Sequence, residues 1–302
     1  MGNIDVKKTK VLVRGAGDLS SGIIWNLAYA GFKVCCTDIE KPSCIRTEVS
    51  FSNAIYDGKK VLGNIECVLC DKLVLSIDKC WDEKKVALVI DPDAKILDEI
   101  KFDVVVDAIL AKKNLGTTID MADLVIGVGP GFTAKKDCHY VIETMRGHNL
   151  AKIYENGSAI ANTGIPGLIA SHGADRVMHS PATGVIHNLH KIGDKVNKNE
   201  VLAVIDICEG SHSSPVREGS QCVAPTNKGS HSSPVQGGEK VYASIDGILR
   251  GIIRDGYFVE KGLKIADIDP RLTEYENCFT ISDKARSIGA AVVTTILHHY
   301  NV

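Results

Sequence analysis

The chain lacks long hydrophobic runs and long runs of one charge. Among its 302 residues no stretch approaches the roughly eighteen apolar residues of a membrane-spanning helix. The formal net charge is only −2, so we expect neither nucleic acid nor an anionic membrane as the main partner. Residues Met1 to Lys10 are polar and hold no apolar signal core, and we therefore expect a cytoplasmic protein.

The ten cysteines also lack the spacing of a metal site. Only Cys67 and Cys70 form a CxxC pair, and no second pair or nearby histidine completes a zinc site. In a chain without a signal segment we expect reduced thiols. For Cys67 and Cys70 the main interpretation is burial as small apolar side chains, and metal binding or redox chemistry is the alternative.

The most informative segment present runs from Val11 to Gly22. A short apolar strand leads into the turn Gly15–Gly17, an apolar helix follows, and a second strand ends at Asp38. This order is typical of the first βαβ unit of a nucleotide-binding domain, where a helix N-terminus receives a phosphate. Ser20 replaces the usual third glycine, and Asp18 puts a carboxylate where an anion would sit. The alternative is a turn that only lets the helix pack on the strand.

Three further apolar runs, 86–90, 104–108 and 124–128, indicate a parallel sheet with helices on both faces. The sequence therefore predicts an α/β, Rossmann-like domain. Ligands bind such sheets beyond the carboxyl ends of the strands, where strand order reverses. We expect one crevice there for a nucleotide or another phosphate-bearing ligand, formed by Arg14, Gly15, Gly17, Asp18, Asp38, Asp107, Lys112, Thr117, Gly129 and Gly131.

In the segment 138–148, His139, Glu143 and Arg146 are spaced at i, i+4 and i+7, so a helix there would align them on one face. One interpretation is a solvated face with a Glu143–Arg146 pair. In the other, His139 and Arg146 point into the crevice, so Arg146 is a further candidate binding residue. Residues 162–167 then form a turn-rich exit from this domain.

The segment after Met178 contains an internal repeat. With a shift of 63 residues, Ser180–Gly184 aligns with Ala243–Gly247, and a matching glycine, valine and lysine register follows in both copies. The repeat resembles the two quasi-symmetric halves of biotinyl and lipoyl domains, the barrel-sandwich hybrid. In that family the modified lysine lies seven residues before the alanine that opens the second half, and here that position is Gln236. We therefore expect no covalent biotin or lipoate.

An insert between the halves carries the heptad GSHSSPV twice, at 210–216 and 229–235. Its composition favours a long exposed loop, and metal binding by His212 and His231 is the alternative. Near the end of the chain, Ser282 is a good N-cap for a helix from Asp283 to about His299. The predicted domains are 1–174, completed by the helix within 281–300, and 175–271, with the insert at about 207–240.

A set of motifs spread over nearly the whole chain resembles one family, the accessory proteins of selenium-dependent molybdenum hydroxylase systems. These motifs are Val13–Leu19, Val49–Ser52, Gly127–Thr133, Glu143–His148, Asn162–Gly167 and Cys278–Arg286. The resemblance implies a role in maturing or supporting molybdenum hydroxylases such as xanthine dehydrogenase-like enzymes. It brings no catalytic residues, and the duplicated heptad departs from the usual pattern of the family.

Three functions follow from these observations. The leading one is a maturation factor whose crevice binds a nucleotide or the pterin phosphate of a molybdenum cofactor, while the second domain docks a client hydroxylase or another maturation protein. The second is an NAD(P)-dependent oxidoreductase in which Asp38 binds ribose hydroxyls. The third is a scaffold without a ligand. The sequence leaves catalytic activity and oligomeric state open.

Overall fold

A computed structural model describes residues 4–71, 73–161, 173–207 and 238–300. Nine strands form one large sheet: β1 Lys10–Arg14, β2 Lys33–Asp38, β3 Lys59–Leu62, β4 Ile65–Leu69, β5 Val86–Ile90, β6 Val104–Asp107, β7 Leu124–Val128, β8 Tyr140–Ile142 and β9 Ile153–Tyr154. The α-helices of the described part are α1 Asp18–Ala30, α2 Ala54–Asp57, α3 Val74–Asp82 and α4 Asp283–His299.

The large sheet has the order β3-β4-β5-β2-β1-β6-β7-β8-β9. The seven inner strands of this order, β4-β5-β2-β1-β6-β7-β8, pair with one another in parallel, whereas the edge strands β3 and β9 pair antiparallel with β4 and β8. The predicted α/β class with a parallel sheet is thus confirmed. The chain leaves β1 toward β2 and later returns to its other side at β6, so strand order reverses between β1 and β6.

Helices α1 and α4 pack against each other on one face of this sheet. Their backbones approach so closely that a Cβ on Gly22 would overlap Ala285, and one on Gly289 would overlap the Gly22 carbonyl and Asn26. The Ser282 side chain accepts a hydrogen bond from the amide of Ala285 at 3.2 Å. The predicted N-cap and the predicted helix from Asp283 are therefore confirmed.

Eight strands form two separate four-stranded antiparallel sheets: β10 Val177–His179, β11 Gly184–Asn188, β12 Lys195–Val196, β13 Val201–Ile207, β14 Glu239–Tyr242, β15 Gly247–Ile252, β16 Phe258–Val259 and β17 Lys264–Asp269. Their orders are β10-β17-β15-β12 and β14-β13-β11-β16. A shift of 63 residues carries the start of β11 onto that of β15 and converts the first order into the second. Each repeat therefore supplies two strands to each sheet.

Equivalent glycines make equivalent contacts in these two sheets. A Cβ on Gly184 would overlap the carbonyl of Asp206, and one on Gly247 would overlap the carbonyl of Asp269. The two pairs are both related by the 63-residue shift. The glycine at the start of β11 and β15 is therefore required by close strand packing, which is why the repeat keeps it.

A segment that follows β2, residues 39–46, joins the large sheet to the two small sheets. Ile45 packs in the core of the small sheets, and the Tyr257 hydroxyl donates to the carbonyl of Lys41 at 3.0 Å. The Arg46 guanidinium donates to the carbonyl of Asn277 at 3.0 Å. We call residues 39–46 the bridging segment.

Some predictions fall outside the described residues. They are the turn at 162–167, both heptads with His212 and His231, and the Gln236 position. Among the α-helices of the described ranges, none has the length and hydropathy needed to cross a membrane.

Candidate nucleotide pocket

A cavity of about 410 Å³ opens at the carboxyl edge of the parallel strands, where strand order reverses. Four loops line it. Gly15 and Gly17 follow β1, and the bridging segment follows Asp38, the last residue of β2. Pro92 follows β5, and residues 108–110 follow β6. This volume lies within the range of small-molecule sites. Topology therefore brings the first glycine turn and Asp38 into one pocket.

The two glycines of the turn have different roles. Gly15 has φ of +96°, and a Cβ there would lie 2.8 Å from the carbonyl oxygen of Ala108. The fold itself therefore requires Gly15. Gly17 has φ of −69°, and the nearest heavy atom to a Cβ would be the Ser20 hydroxyl at 3.9 Å. The fold does not require Gly17, and its small size leaves open space at the start of α1.

The protein uses two amides of this turn itself. The Gly15 amide donates to the carbonyl of Thr37 at 2.7 Å, and the Ala16 amide donates to the Asp38 carboxylate at 2.9 Å. Gly17 is the N-cap of α1, and no side-chain hydrogen bond caps the helix there. A ligand phosphate would therefore meet the amides at the start of α1 rather than the whole glycine turn, and the first of these, the Asp18 amide, also donates a hydrogen bond to the Cys44 thiol.

Asp38 holds the turn and faces the pocket. One carboxylate oxygen accepts from Ala16, and the other accepts from the amide of Ile39 at 2.8 Å. Burial raises the pKa of the Asp38 carboxyl, and the two backbone hydrogen bonds oppose that rise. Because a carboxylate oxygen has two lone pairs, Asp38 keeps the capacity to accept hydrogen bonds from ligand hydroxyls.

The charge of Asp18 is balanced by an arginine of the bridging segment. A guanidinium nitrogen of Arg46 lies 3.3 Å from both carboxylate oxygens of Asp18, and the Arg46 side chain is only 5% exposed. A carboxylate beside the start of α1 would repel a bound anion. The positive charge of Arg46 opposes that repulsion.

Arg14, Asp107 and Thr117 form a buried network instead of lining the pocket. Thr117 donates to the Asp107 carboxylate at 2.5 Å, and the Arg14 guanidinium contacts both residues. Arg14 also donates to the carbonyls of Pro92 and Leu115, each at 3.2 Å. Their burial argues against the prediction that these three side chains bind the ligand directly. They fasten the loops after β5 and β6, which form two walls of the pocket.

The second glycine turn is at the same sheet edge but does not line this pocket. A Cβ on Gly131 would lie 2.7 Å from the Cα of Lys113, and one on Gly129 would lie 3.0 Å from the Thr144 hydroxyl. The loop after β6 therefore lies against Gly131 on one side and against Gly15 on the other. Lys112, which belongs to that loop, does not line the pocket either. The expectation of one crevice that contacts both glycine turns is not met.

The helix that would align His139, Glu143 and Arg146 does not form. Residues 140–142 form β8, and His139 precedes it with its ring nitrogen accepting from the Val125 amide at 2.9 Å. Glu143 is fully buried, and one carboxylate oxygen accepts from two amides at 2.7 Å each. Arg146 pairs with Asp283 at 2.8 Å, which holds the pKa of that carboxyl well below its usual value. Arg146 therefore attaches α4 and does not reach the pocket.

Sequence reasoning missed the contribution of the bridging segment. Pro42, Ser43 and Cys44 all line the pocket. Burial raises the pKa of the Cys44 thiol, although hydrogen bonds from the Ser50 hydroxyl and from backbone amides oppose the rise. The available signal was position, because this segment directly follows the carboxyl end of β2.

A larger cavity, of about 670 Å³, lies at the opposite edge of the sheet. It is lined by residues that precede β6 and β7, including Asp98, Glu99, Asp120 and Asp123. Neither a glycine turn nor the start of an α-helix faces it, so the smaller pocket is the better candidate site. Within the described residues, no group of three or more His, Cys, Asp or Glu side chains could hold a metal ion.

No family model matches the chain. The chain is 39% identical over 287 residues to an Escherichia coli K12 protein named "Uncharacterized protein YqeB". The match covers 95% of this chain and 47% of the relative, so the chain spans about half the length of that protein.

Solved structures give weaker likenesses. An aspartoacylase family protein from Mesorhizobium loti is 11% identical, with a TM-score of 0.27 over 87% of this chain and 86% of its own. The ectoine utilization protein EutE (DoeB) from Ruegeria pomeroyi is 10% identical, with a TM-score of 0.28 over the same shares. At these scores neither likeness carries an argument.

Proposed function

We propose that the protein binds a nucleotide, or another phosphate-bearing ligand with vicinal hydroxyls, in the pocket between Gly17 and Asp38. The observation that carries the proposal is the open space at Gly17, which the fold does not need and which lies beside the first-turn amides of α1. Together with the reversal of strand order between β1 and β6, it favours a Rossmann-like description of the parallel-sheet domain.

The ligand would be held mainly by neutral donors and by one carboxylate. In this arrangement the phosphate accepts from the amides at the start of α1, and a ribose hydroxyl donates to Asp38. Among the described residues that line the pocket, none is Lys or Arg. The pocket therefore favours a ligand of low charge density, such as a diphosphate ester, over a nucleoside triphosphate.

We further propose that the protein acts as an accessory factor for a selenium-dependent molybdenum hydroxylase, as the motif resemblance implies. The two small sheets, which we interpret as a barrel-sandwich hybrid, would dock the client enzyme. The bridging segment supports a link between the two activities, because Cys44 lines the pocket and its neighbour Ile45 packs in the core of the small sheets. A ligand that contacts Cys44 would then influence the two small sheets through the adjacent residue Ile45.

An NAD-dependent oxidoreductase is the second candidate, and the position of Asp38 favours it. A carboxylate at the end of the second strand accepts from both ribose hydroxyls of NAD and repels the 2′-phosphate of NADP. This candidate requires hydride transfer to or from a small substrate, whereas the accessory factor requires only binding.

Mass spectrometry of small molecules released from the purified native protein tests the proposal. We expect a phosphate-bearing ligand from the wild-type protein and none from Gly17→Val, whose side chain would fill the open space. Gly17→Ala serves as the matched control, because its Cβ has room and its φ is ordinary. Equal release from wild type and Gly17→Val would overturn the assignment of this pocket, and release of a nicotinamide dinucleotide would favour the oxidoreductase.

A further inference from the structure

Two cysteine side chains meet beside the outer part of the large sheet. Cys70 directly follows β4, and Cys80 lies on α3. Their sulfur atoms are 3.2 Å apart, and both are free thiols. Because a disulfide bond is about 2.05 Å long, the two sulfur atoms need to approach by only about 1.2 Å to become bonded. The structure thus presents a dithiol that is nearly closed.

The pair is accessible from solvent on one side. Cys70 is partly exposed, Cys80 is 7% exposed, and both line a surface cavity of about 320 Å³. The other cysteines of this region, Cys35, Cys36 and Cys67, are completely buried. A small molecule can therefore reach the Cys70 sulfur from solvent, and the more buried Cys80 sulfur lies in contact with it.

The CxxC spacing itself does not create this pair. Cys67 lies within β4 and contacts Cys36, whereas Cys70 follows the strand and contacts Cys80. The partner of Cys70 is thus ten positions later in the chain, on the helix that follows.

We propose that Cys70 and Cys80 form a redox-active dithiol that a low-molecular-weight disulfide oxidises to an intramolecular disulfide. The Cys70 thiolate attacks one sulfur of the disulfide, a mixed disulfide forms, and the first thiolate leaves. The Cys80 thiolate then attacks the Cys70 sulfur and releases the second thiolate. The two protons from the cysteines end on the two released thiols, so one disulfide is reduced as one is formed.

The surroundings of Cys70 make its exchange with a disulfide slow. Burial and the contact with Cys80 raise the pKa of the Cys70 thiol to about 12. The thiolate is the attacking species, so only a small fraction of the protein reacts at any moment near neutral pH. A long incubation at mildly alkaline pH is therefore the suitable condition.

The test is to incubate the full chain with glutathione disulfide, block the remaining thiols and measure intact mass and tryptic peptides. We expect a loss of two hydrogens and a cross-link between the peptides 61–72 and 80–84. Cys70→Ala and Cys80→Ala should each abolish this cross-link. Cys67→Ala is the matched control and should retain the cross-link. The control is needed because the peptide 61–72 contains both Cys67 and Cys70, and the variant shows which of them is bonded to Cys80.

Three results would overturn the proposal. They are a stable glutathione adduct on Cys70 without the cross-link, a cross-link that persists in Cys70→Ala, and a cross-link that Cys67→Ala removes while the variant remains folded. Peptide mapping of the wild-type protein does not depend on any variant folding. Nucleotide binding is not involved, so this result is independent of the proposed pocket.

Discussion

Replacing Arg14 with Met should destabilise the parallel-sheet domain strongly. The Arg14 and Asp107 side chains are 3% and 2% exposed, so solvent scarcely screens the interaction between them. Met fills a similar volume but leaves the Asp107 carboxylate buried without its cation, and it removes the donor to the carbonyls of Pro92 and Leu115. Breaking a buried ion pair from one side costs roughly 3–5 kcal/mol, and we expect a loss in free energy of unfolding within that range.

Urea unfolding followed by tryptophan fluorescence measures this loss. Both tryptophans of the chain, Trp25 and Trp81, pack in the cores on the two faces of the large sheet, so the signal reports on that part of the structure. The control is Lys101→Met, which removes a cation that is 84% exposed and 4.0 Å from Asp123 and should change stability by less than about 0.5 kcal/mol. If Arg14→Met costs no more than this control, the buried network does not hold the pocket walls as we describe.

Three further predictions concern the loops and helices around the pocket. Gly15→Ala should lower the free energy of unfolding by more than about 1 kcal/mol, because alanine is strained at a positive φ, whereas Gly17→Ala should be nearly neutral in the same urea experiment. Gly289→Val should lower the free energy of unfolding several times more than an ordinary surface substitution does, because the valine side chain would separate α4 from α1. Thermal unfolding followed by circular dichroism would detect this loss as a lower Tm. Asp283→Asn should cost less than about 1 kcal/mol at pH 7, since the pair with Arg146 is exposed. The lowered pKa of Asp283 means that its contribution is present above about pH 4 and is lost as pH falls further, so stability curves of wild type and variant should converge in acid.

The α/β class and the place of the first glycine turn were predictable because they depend on local patterns. Continuous Val and Ile runs such as β6 and β7 are buried on both faces, which only a covered parallel sheet allows. The internal repeat was equally readable, because each glycine that opens β11 or β15 packs against a carbonyl in the same way. In both cases the residue pattern is visible in the sequence alone, although the contacts that require it join residues far apart, as Gly15 and Ala108 or Gly184 and Asp206 do.

The role of Arg14 was not predictable in this way. It ends β1, beside the glycine turn, which makes it resemble a phosphate ligand. Its partners Pro92, Asp107 and Leu115 come from other parts of the chain. Only the assembled sheet therefore shows that the guanidinium donates its hydrogen bonds to these buried partners and not to a ligand.

The arrangement of the segment around Glu143 could not be predicted for a related reason. Its spacing fits a helix, but residues 140–142 pair with β7, and the Glu143 carboxylate accepts amides from its own turn and from Ile160. Long-range pairing overrides the helical pattern of so short a segment. The bridging segment has no periodicity, and only its place after β2 could have marked it.

Calorimetric titration of wild type and Asp38→Ala with ADP and with 2′-deoxy-ADP determines whether the pocket binds a nucleotide through Asp38. A hydrogen bond to a charged group contributes about 1.5–3 kcal/mol, so losing it should weaken binding at least tenfold. We expect ADP to bind wild type at least tenfold more tightly than 2′-deoxy-ADP does, and Asp38→Ala to bind both equally weakly. Equal binding of ADP by wild type and Asp38→Ala, or no binding of either nucleotide to wild type, would contradict this expectation.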